Sequence, residues 1–404
     1  MVRLLHFSDL HLGAASYGRF DPETGLSSRM EDFLTAFDQV VDYALKQDIH
    51  LVLFAGDAYK TCDPSPTHQR EFARRVGRLA RAGVPIVLLT GNHDVPNARG
   101  RANAVSIFAT LEVENVRVAD KATTLHVDTT GGPVQIVALP WLGLSLLAAM
   151  DEYKNQTIAE LRDTIVDVAE RFVLEQIAAL DPSIPAVFLA HALAFGAAHG
   201  SERYTVLGQD LLLPYGLYTH PAFDYVALGH VHKHQVLNDS PPAVYAGSLE
   251  RVDFGEEDEQ KGFVVVEVEK GHADFRFVPV SARRFVTIRV EAMSGDPMAA
   301  IGDAIAGHTI ADAVVRMIVH TTTELEPFID DRACRQLLKD AFHVAAIVRD
   351  VDRAERLRLV RDKSVETLTP RELLLGYLSY KGVPAERVQT LLEHADRVMT
   401  AVPS

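Results

Sequence analysis

Cysteine is nearly missing from this chain: Cys62 and Cys334 are the only two in 404 residues. Two thiols cannot build a disulfide framework, and neither lies in a CxxC pair. A reducing cytosol is the expected setting, and clustered thiolates for a structural zinc are excluded. Long apolar runs are missing as well. None approaches the roughly 20 residues of a membrane span, and the N-terminus lacks the form of a signal peptide. Positive charge is short: 40 Lys and Arg stand against 55 Asp and Glu, a net charge of −15. Phosphate backbones favour basic surfaces, so this balance argues against nucleic acid unless a local patch, bound cations or a partner supplies positive charge. Internal repeats and low-complexity tracts are also lacking. What remains is a globular composition, 48% hydrophobic and 24% charged, in a chain long enough for two or three domains.

Six short apolar runs stand out. Five of them end in polar residues that could bind a metal ion. Leu4 to Ser8 leads to Asp9 and His11, and Leu51 to Gly56 leads to Asp57. Ile86 to Gly91 leads to Asn92, His93 and Asp94, Ala186 to Ala190 to His191, and Tyr225 to Gly229 to His230 and His232. The sixth, Ala243 to Ala246, ends at Gly247 and Ser248. Runs of this kind read as strands buried on both faces. Their C-terminal ends should share one rim of a sheet, where open α/β sheets place their sites.

Helical periodicity fills the gaps, over Ser28 to Lys46, Ser65 to Ala82 and Gln156 to Leu180. Antiparallel strands follow at 262–268 and 273–280. The expected class is α/β: a sheet-centred domain at 1–281, a small α+β capping domain at 282–350, and a charged linker with a C-terminal helical hairpin at 351–404. In the hairpin, Thr369 caps a helix that carries Pro370 in its first turn, and Lys381 to Pro384 separates it from a second helix.

Taken alone, each polar motif has an ordinary explanation. Asp9 and His11 could be a surface pair, Asp57 a turn carboxylate, and His191 a hydrogen-bonded core histidine. On an extended segment, however, residues two apart point the same way, so Asp9 with His11, and His230 with His232, could each reach one ion. Gly91-Asn92-His93-Asp94 directly after a buried strand has no such plain explanation. Mixed Asp, His and Asn ligands suit divalent ions such as Mn²⁺, Fe²⁺ or Zn²⁺.

The ordered set resembles the calcineurin-like metallophosphoesterase superfamily, whose pattern is D-x-H, G-D, G-N-H-D/E, H and G-H-x-H. Within it, the whole chain resembles the nuclease subunits of bacterial ATP-regulated DNA-repair complexes. The superfamily motifs cover residues 9–232. The narrower likeness rests on Asp63 to Pro66 after Gly56-Asp57, the strand end at Gly247-Ser248, the second domain and the helical tail. The resemblance implies two cations, manganese by preference. Asp9, His11 and His232 would hold one and Asn92, His191 and His230 the other, with Asp57 bridging. His93 would contact the reacting phosphate and Asp94 would orient His93. The implied chemistry is in-line hydrolysis of DNA phosphodiesters, as a 3′→5′ exonuclease and an endonuclease on DNA ends and hairpins. The implied partners are an ABC-type ATPase held by the C-terminal hairpin and a second copy of the chain within a heterotetramer.

One position departs from the pattern. Archaeal and eukaryotic relatives carry histidine three residues after the second-motif aspartate; Lys60 stands here, so no role of that histidine carries over. Lys60, Arg99, Arg101, Ser248 and Arg251 are further candidates for substrate contact. Arg70, Arg74, Arg75, Arg78 and Arg81 form a basic stripe that reads as a solvated face. Trp141 reads as core or domain packing, and His234 as a surface residue. Two rival functions share the motifs: a phosphoesterase for small diesters or phosphoproteins, and a non-catalytic scaffold that kept the fold.

Overall fold

The structure, a computed structural model, describes residues 1–14, 16–23, 25–96, 101–143, 156–198, 212–352, 370–380 and 383–400. Its strands are β1 (Val2–Phe7), β2 (Leu51–Phe54), β3 (Ile86–Leu89), β4 (Val116–Ala119), β5 (Thr123–Thr129), β6 (Gly132–Leu139) and β7 (Ala186–His191). They continue with β8 (Leu193–Ala194), β9 (Leu212–Leu213), β10 (Tyr225–Gly229), β11 (Gln235–Asp239), β12 (Pro242–Tyr245), β13 (Gly262–Glu269) and β14 (His272–Pro279). The longer helices among them are α1 (Ser28–Lys46), α2 (Pro66–Arg81) and α3 (Ile158–Ala179).

The apolar runs are strands, but they do not share one sheet. They divide between two six-stranded sheets, in the orders β14-β13-β1-β2-β3-β4 and β11-β12-β10-β7-β6-β5. Each sheet has a parallel centre with antiparallel pairing outside it: β1 pairs parallel with β2 and antiparallel with β13, and β7 pairs parallel with β6 and β10. The expectation of a single sheet fails because local periodicity marks a strand as buried on both faces but does not say which sheet it joins.

Side-chain alternation builds the layers. Leu4, Leu51, Leu53 and Val87 of the first sheet meet Val187, Leu189, Tyr225 and Ala227 of the second in one buried cluster. The alternate residues Leu5, Phe7, Val52 and Phe54 turn outward under α1 and α2, against Phe33, Phe37 and Phe72. Val137, Leu139, Phe188 and Val226 of the second sheet do the same with Ile165, Ala169 and Val173 of α3. The result is four layers, helix-sheet-sheet-helix. Full burial of each large side chain contributes about 1.5–3 kcal/mol.

The helices begin where their caps stand. Ser27 and Ser65 accept hydrogen bonds from Met30 N and His68 N, and Pro66 occupies the first turn of α2. Thr157 and Glu160 form a capping box at α3. The arginine stripe on α2 is a largely solvated face, as expected, and four of its members also form ion pairs within the chain. Arg70, Arg74 and Arg75 meet Glu71, while Arg75 and Arg78 reach Asp38 on α1.

The chain divides into two compact units: Met1–Ile288 with His308–Arg316 and Leu338–Ala346, and Arg289–Gly307 with Met317–Leu337 and Ile347–Ser404. A three-stranded sheet is built from β15 (Phe285–Ala292), β16 (Val314–Thr322) and β17 (His343–Asp352), in that order. The second unit holds α4 (Pro297–Ala306) and α5 (Asp331–Leu337). It also holds α6 (Pro370–Tyr380) and α7 (Ala385–Thr400), which the Arg371–Asp396 ion pair joins. Among the described residues, no helix is long and apolar enough to cross a membrane.

Candidate metal centre at the rim of two sheets

Five loops meet where both sheets end. From the first sheet come Asp9 and His11 after β1, Asp57 after β2, and Asn92, His93 and Asp94 after β3. From the second come His191 at the end of β7, and His230 and His232 after β10. The two sheets approach closely here because glycine stands at the contacts. A Cβ on Gly229 would run into the Ala55 carbonyl, and one on Gly56 into the His191 ring.

The backbone does not turn the side chains inward by strand alternation. Asp9, His11, Asp57 and His230 have φ of 52°, 47°, 62° and 106°. This left-handed region is costly for residues with a Cβ, and such residues concentrate at functional sites. The surroundings hold them there: Asp9 N donates to Gly56 O and His11 N to Asp57 O, each at 3.0 Å, while His230 N donates to the Asp9 carboxylate. The reading of Asp9 with His11, and of His230 with His232, as extended pairs is therefore corrected. Tight turns make them converge.

The distances are short. Asp57 Oδ2 lies 3.6 Å from the Nε2 atoms of both His11 and His191. His11 Nε2 and His232 Nε2 are 2.9 Å apart. Asn92 Oδ1 lies 2.9 Å from His191 Nε2 and 3.1 Å from His230 Nδ1. The ligand atoms of Asp9, His11 and His232, and those of Asp9, Asp57 and His191, each fall within 4.8 Å of one another. A third such group joins His11, Asp57 and His93.

Burial sets the charges. It pushes the Asp9 carboxyl up, and with the Asp9 charge beside it pushes Asp57 up to about 7. It holds the His11 and His191 imidazoles well below their ordinary value, so both are neutral at pH 7. Neutral imidazoles and buried carboxylates thus face one another with their lone pairs. A divalent cation between them would replace each repulsion with a bond, and nitrogen and oxygen donors in this mixture fit such an ion. The residues present fit the metal centre that the sequence implies.

His93 is held otherwise than expected. Its Nδ1 lies 2.9 Å from the Lys60 carbonyl, so that carbonyl orients the ring. Burial and the Lys60 charge lower its pKa to about 4. Asp94, expected to orient His93, instead accepts hydrogen bonds from the backbone N–H groups of Asp57, Ala58, Tyr59 and Gly91. It ties the second loop to the third. The correction has a geometric cause: the Asp94 carboxylate points down the nest of backbone N–H groups after β2.

The side chains of the other described candidates have partners of their own. Arg251 gives its guanidinium to the carbonyls of Glu256, Glu257, Glu259 and Arg283. Ser248 is buried and donates to Glu250 O. Arg101 pairs with Asp63. Arg99 lies outside the described residues. His234 stacks on Phe277 with its Nδ1 on Tyr245 O.

Two neighbours escaped the sequence reading. Trp141 is not core packing but a rim residue, stacked on His230 at 5.3 Å between ring centroids and edge-on to His191. The Leu139-Pro140-Trp141 strand end was the available signal. Glu256 is buried and lies 2.7 Å from His232 Nδ1. It sits in an acidic stretch that resembles solvated surface, and nothing in its spacing sets it apart.

A four-layer sandwich with carboxylates, neutral imidazoles and an amide on one rim is the build of a metal-dependent hydrolase. The profile of the calcineurin-like phosphoesterases matches residues 2–234, more than half of the chain, and the protein belongs to that family. Among solved structures, it is similar to TT1561 of Thermus thermophilus, at 13% identity and a TM-score of 0.40, over 68% of this chain and 98% of that one. It is also similar to a dimetal phosphatase from Danio rerio, at 9% identity and a TM-score of 0.41, over 69% of this chain and 96% of that one.

Proposed function

We propose that the chain is a two-metal DNA nuclease resembling SbcD, the nuclease subunit of the bacterial SbcCD complex of DNA repair and recombination. One observation carries the two-metal reading. A single Asp57 oxygen stands 3.6 Å from histidines on either side of it, one from each sheet. Asp9, His11 and His232 would then hold one ion, and Asn92, His191 and His230 the other. When bound, two such cations supply positive charge to the phosphate and a strong nucleophile from water near neutral pH; manganese is the ion expected.

The protein's own residues do the rest. The Lys60 carbonyl takes the Nδ1 hydrogen of His93, so Nε2 is the atom left to face a phosphate. Neutral at pH 7, His93 gains basicity as an anionic phosphate arrives and takes up a proton from solvent at Nε2. It can then donate from Nε2 to the leaving oxygen. Asp94 keeps the loops bearing Asp57 and His93 in register. The DNA preference rests on the whole-chain resemblance: a unit after the phosphoesterase domain, then a helical hairpin for docking SbcC, an ABC-type ATPase whose surface would supply the positive charge this chain lacks.

The net charge of −15, with Arg70, Arg74, Arg75 and Arg78 of α2 paired to carboxylates of this chain, favours a second reading: hydrolysis of small phosphodiesters or phosphoproteins. One experiment separates the two. With Mn²⁺, hydrolysis of a duplex with blocked ends is compared with that of bis-p-nitrophenyl phosphate and cyclic AMP, with and without SbcC and ATP. Cleavage of DNA enhanced by SbcC and ATP supports the nuclease. Turnover of the small diesters alone overturns it.

A further inference from the structure

His232 differs from its neighbours in what stands behind the ring. His191 Nδ1 meets the Ala55 carbonyl at 2.7 Å, and His93 Nδ1 meets the Lys60 carbonyl. His232 Nδ1 instead meets a carboxylate, Glu256 Oε1, at 2.7 Å. The other Glu256 oxygen accepts from Lys261 Nζ at 2.7 Å and from Val252 N at 3.1 Å. Lys261 is itself buried, and donates also to Glu259 Oε2, Ser248 Oγ and the His232 carbonyl. Glu256 ends a short helical turn, Phe254–Glu256, capped by Asp253, whose carboxylate accepts from Gly255 N. Arg251 grips the carbonyls of Glu256, Glu257 and Glu259 from the other side. A buried carboxylate held by three such groups costs several kcal/mol to desolvate, so its place against a rim histidine calls for a reason.

We propose that Glu256 is a positioning residue for His232. Its carboxylate keeps the hydrogen on Nδ1, leaves the Nε2 lone pair aimed into the centre, and makes that imidazole a stronger donor, while Lys261 and Val252 N hold the carboxylate and Arg251 holds the backbone that carries it. The inference rests on His232 being a metal ligand, as proposed above. Outer-shell carboxylates of this kind fix the ring and raise ligand basicity, and their loss typically weakens metal affinity 10–100-fold. Arg251 and Ser248 thereby acquire a role behind the centre in place of substrate contact.

The test uses the full chain, stripped with chelator and titrated with Mn²⁺. Trp141 is the single tryptophan of the sequence and touches His230, so its fluorescence reads occupancy without any turnover. Glu256→Gln keeps the shape and loses the charge. Glu256→Gln combined with Lys261→Met removes the stranded ammonium, in case the single variant does not fold. One binding event should weaken 10–100-fold and the other should change little. His232→Ala identifies which event belongs to His232. If His232→Ala leaves both events unchanged, the ligand assignment itself fails; if it weakens one and the folded Glu256 variants weaken neither, only the positioning role is overturned. In the wild-type protein, histidine ¹⁵N spectra should show His232 as the Nδ1–H tautomer before metal is added. The Nε2–H tautomer overturns the proposal independently of any variant.

Discussion

Replacing Asp57 with asparagine should have opposite effects on metal binding and on the stability of the metal-free protein. The Asp57 carboxyl is pushed up to about 7 by burial and by Asp9. That is about 3 units above an ordinary carboxyl, or up to about 4 kcal/mol of cost for holding the charge. The sign follows from linkage. A folded pKa above the unfolded one means stability that is present at about pH 4 and lost as pH rises through 7. Asparagine keeps the Oδ1 acceptor for His93 N, which lies 2.9 Å from Asp57 Oδ1. Its amide N–H groups would face the His11 and His191 lone pairs where Oδ2 now stands. The metal-free Asp57→Asn protein should therefore match wild type at about pH 4 and exceed it at pH 8 by up to about 4 kcal/mol. Both cations should bind at least 10–100-fold more weakly, since the change removes a ligand and not merely its support. Urea unfolding at both pH values with chelator, and calorimetric titration with Mn²⁺, would measure this. A variant less stable than wild type at pH 8 without metal, or one that binds two cations with unchanged affinity, refutes the reasoning.

Four other outcomes are expected. His93→Ala should keep both cations and lose about 10²–10⁴-fold in turnover; loss of metal in titration would mean that the ring is a ligand. Gly229→Ala puts a methyl group against the Ala55 carbonyl, so it should cost about 3 kcal/mol, the upper end for overpacking, and weaken metal binding with it; an unchanged denaturation midpoint would contradict the close sheet contact. Burial lowers the His6 pKa to about 3. Its contribution is therefore whole above about 6.5 and lost as pH falls toward 3, at about 1.4 kcal/mol per unit; His6→Leu should flatten the acid limb of the stability profile, and an unaltered limb would assign it to other groups. Truncation after Lys363 should spare Mn²⁺-dependent hydrolysis of small diesters and abolish co-purification with SbcC; an unfolded product, or full retention of SbcC, would place the docking surface elsewhere.

What could be read from the chain was whatever burial writes into neighbouring residues. The runs ending at Phe7, Phe54, Leu89, His191 and Gly229 are strands because both faces are covered, and α1 and α2 carry their caps beside them. The polar residues after those strands gathered at one place. Pairing over long separations was not legible: β1 lies between β2 and β13, and no local pattern joins Val2 to Val268. Nor were the edge strands β4 and β5 singled out, because half-exposed strands such as Thr123–Thr129 lack a continuous apolar run. The left-handed turns at Asp9, His11 and His230 were invisible for another reason. Glycine announces such turns by its composition, whereas here hydrogen bonds from distant segments hold residues that would ordinarily avoid them. Glu256 illustrates the same limit, since its partner His232 lies 24 positions away.

The division of the centre between two sheets also bears on how the protein comes apart. Asp9, His11, Asp57, Asn92 and His93 belong to one sheet, and His191, His230 and His232 to the other. A cation ligated from both sides, as proposed, would act as a latch across the sandwich, fastened only after the two layers have docked. Contacts made that late are absent from the folding transition state, so they slow opening without speeding assembly. Metal should therefore lengthen the lifetime of the native state far more than it shortens the time needed to reach it, and a chelator should release the sandwich from the rim first.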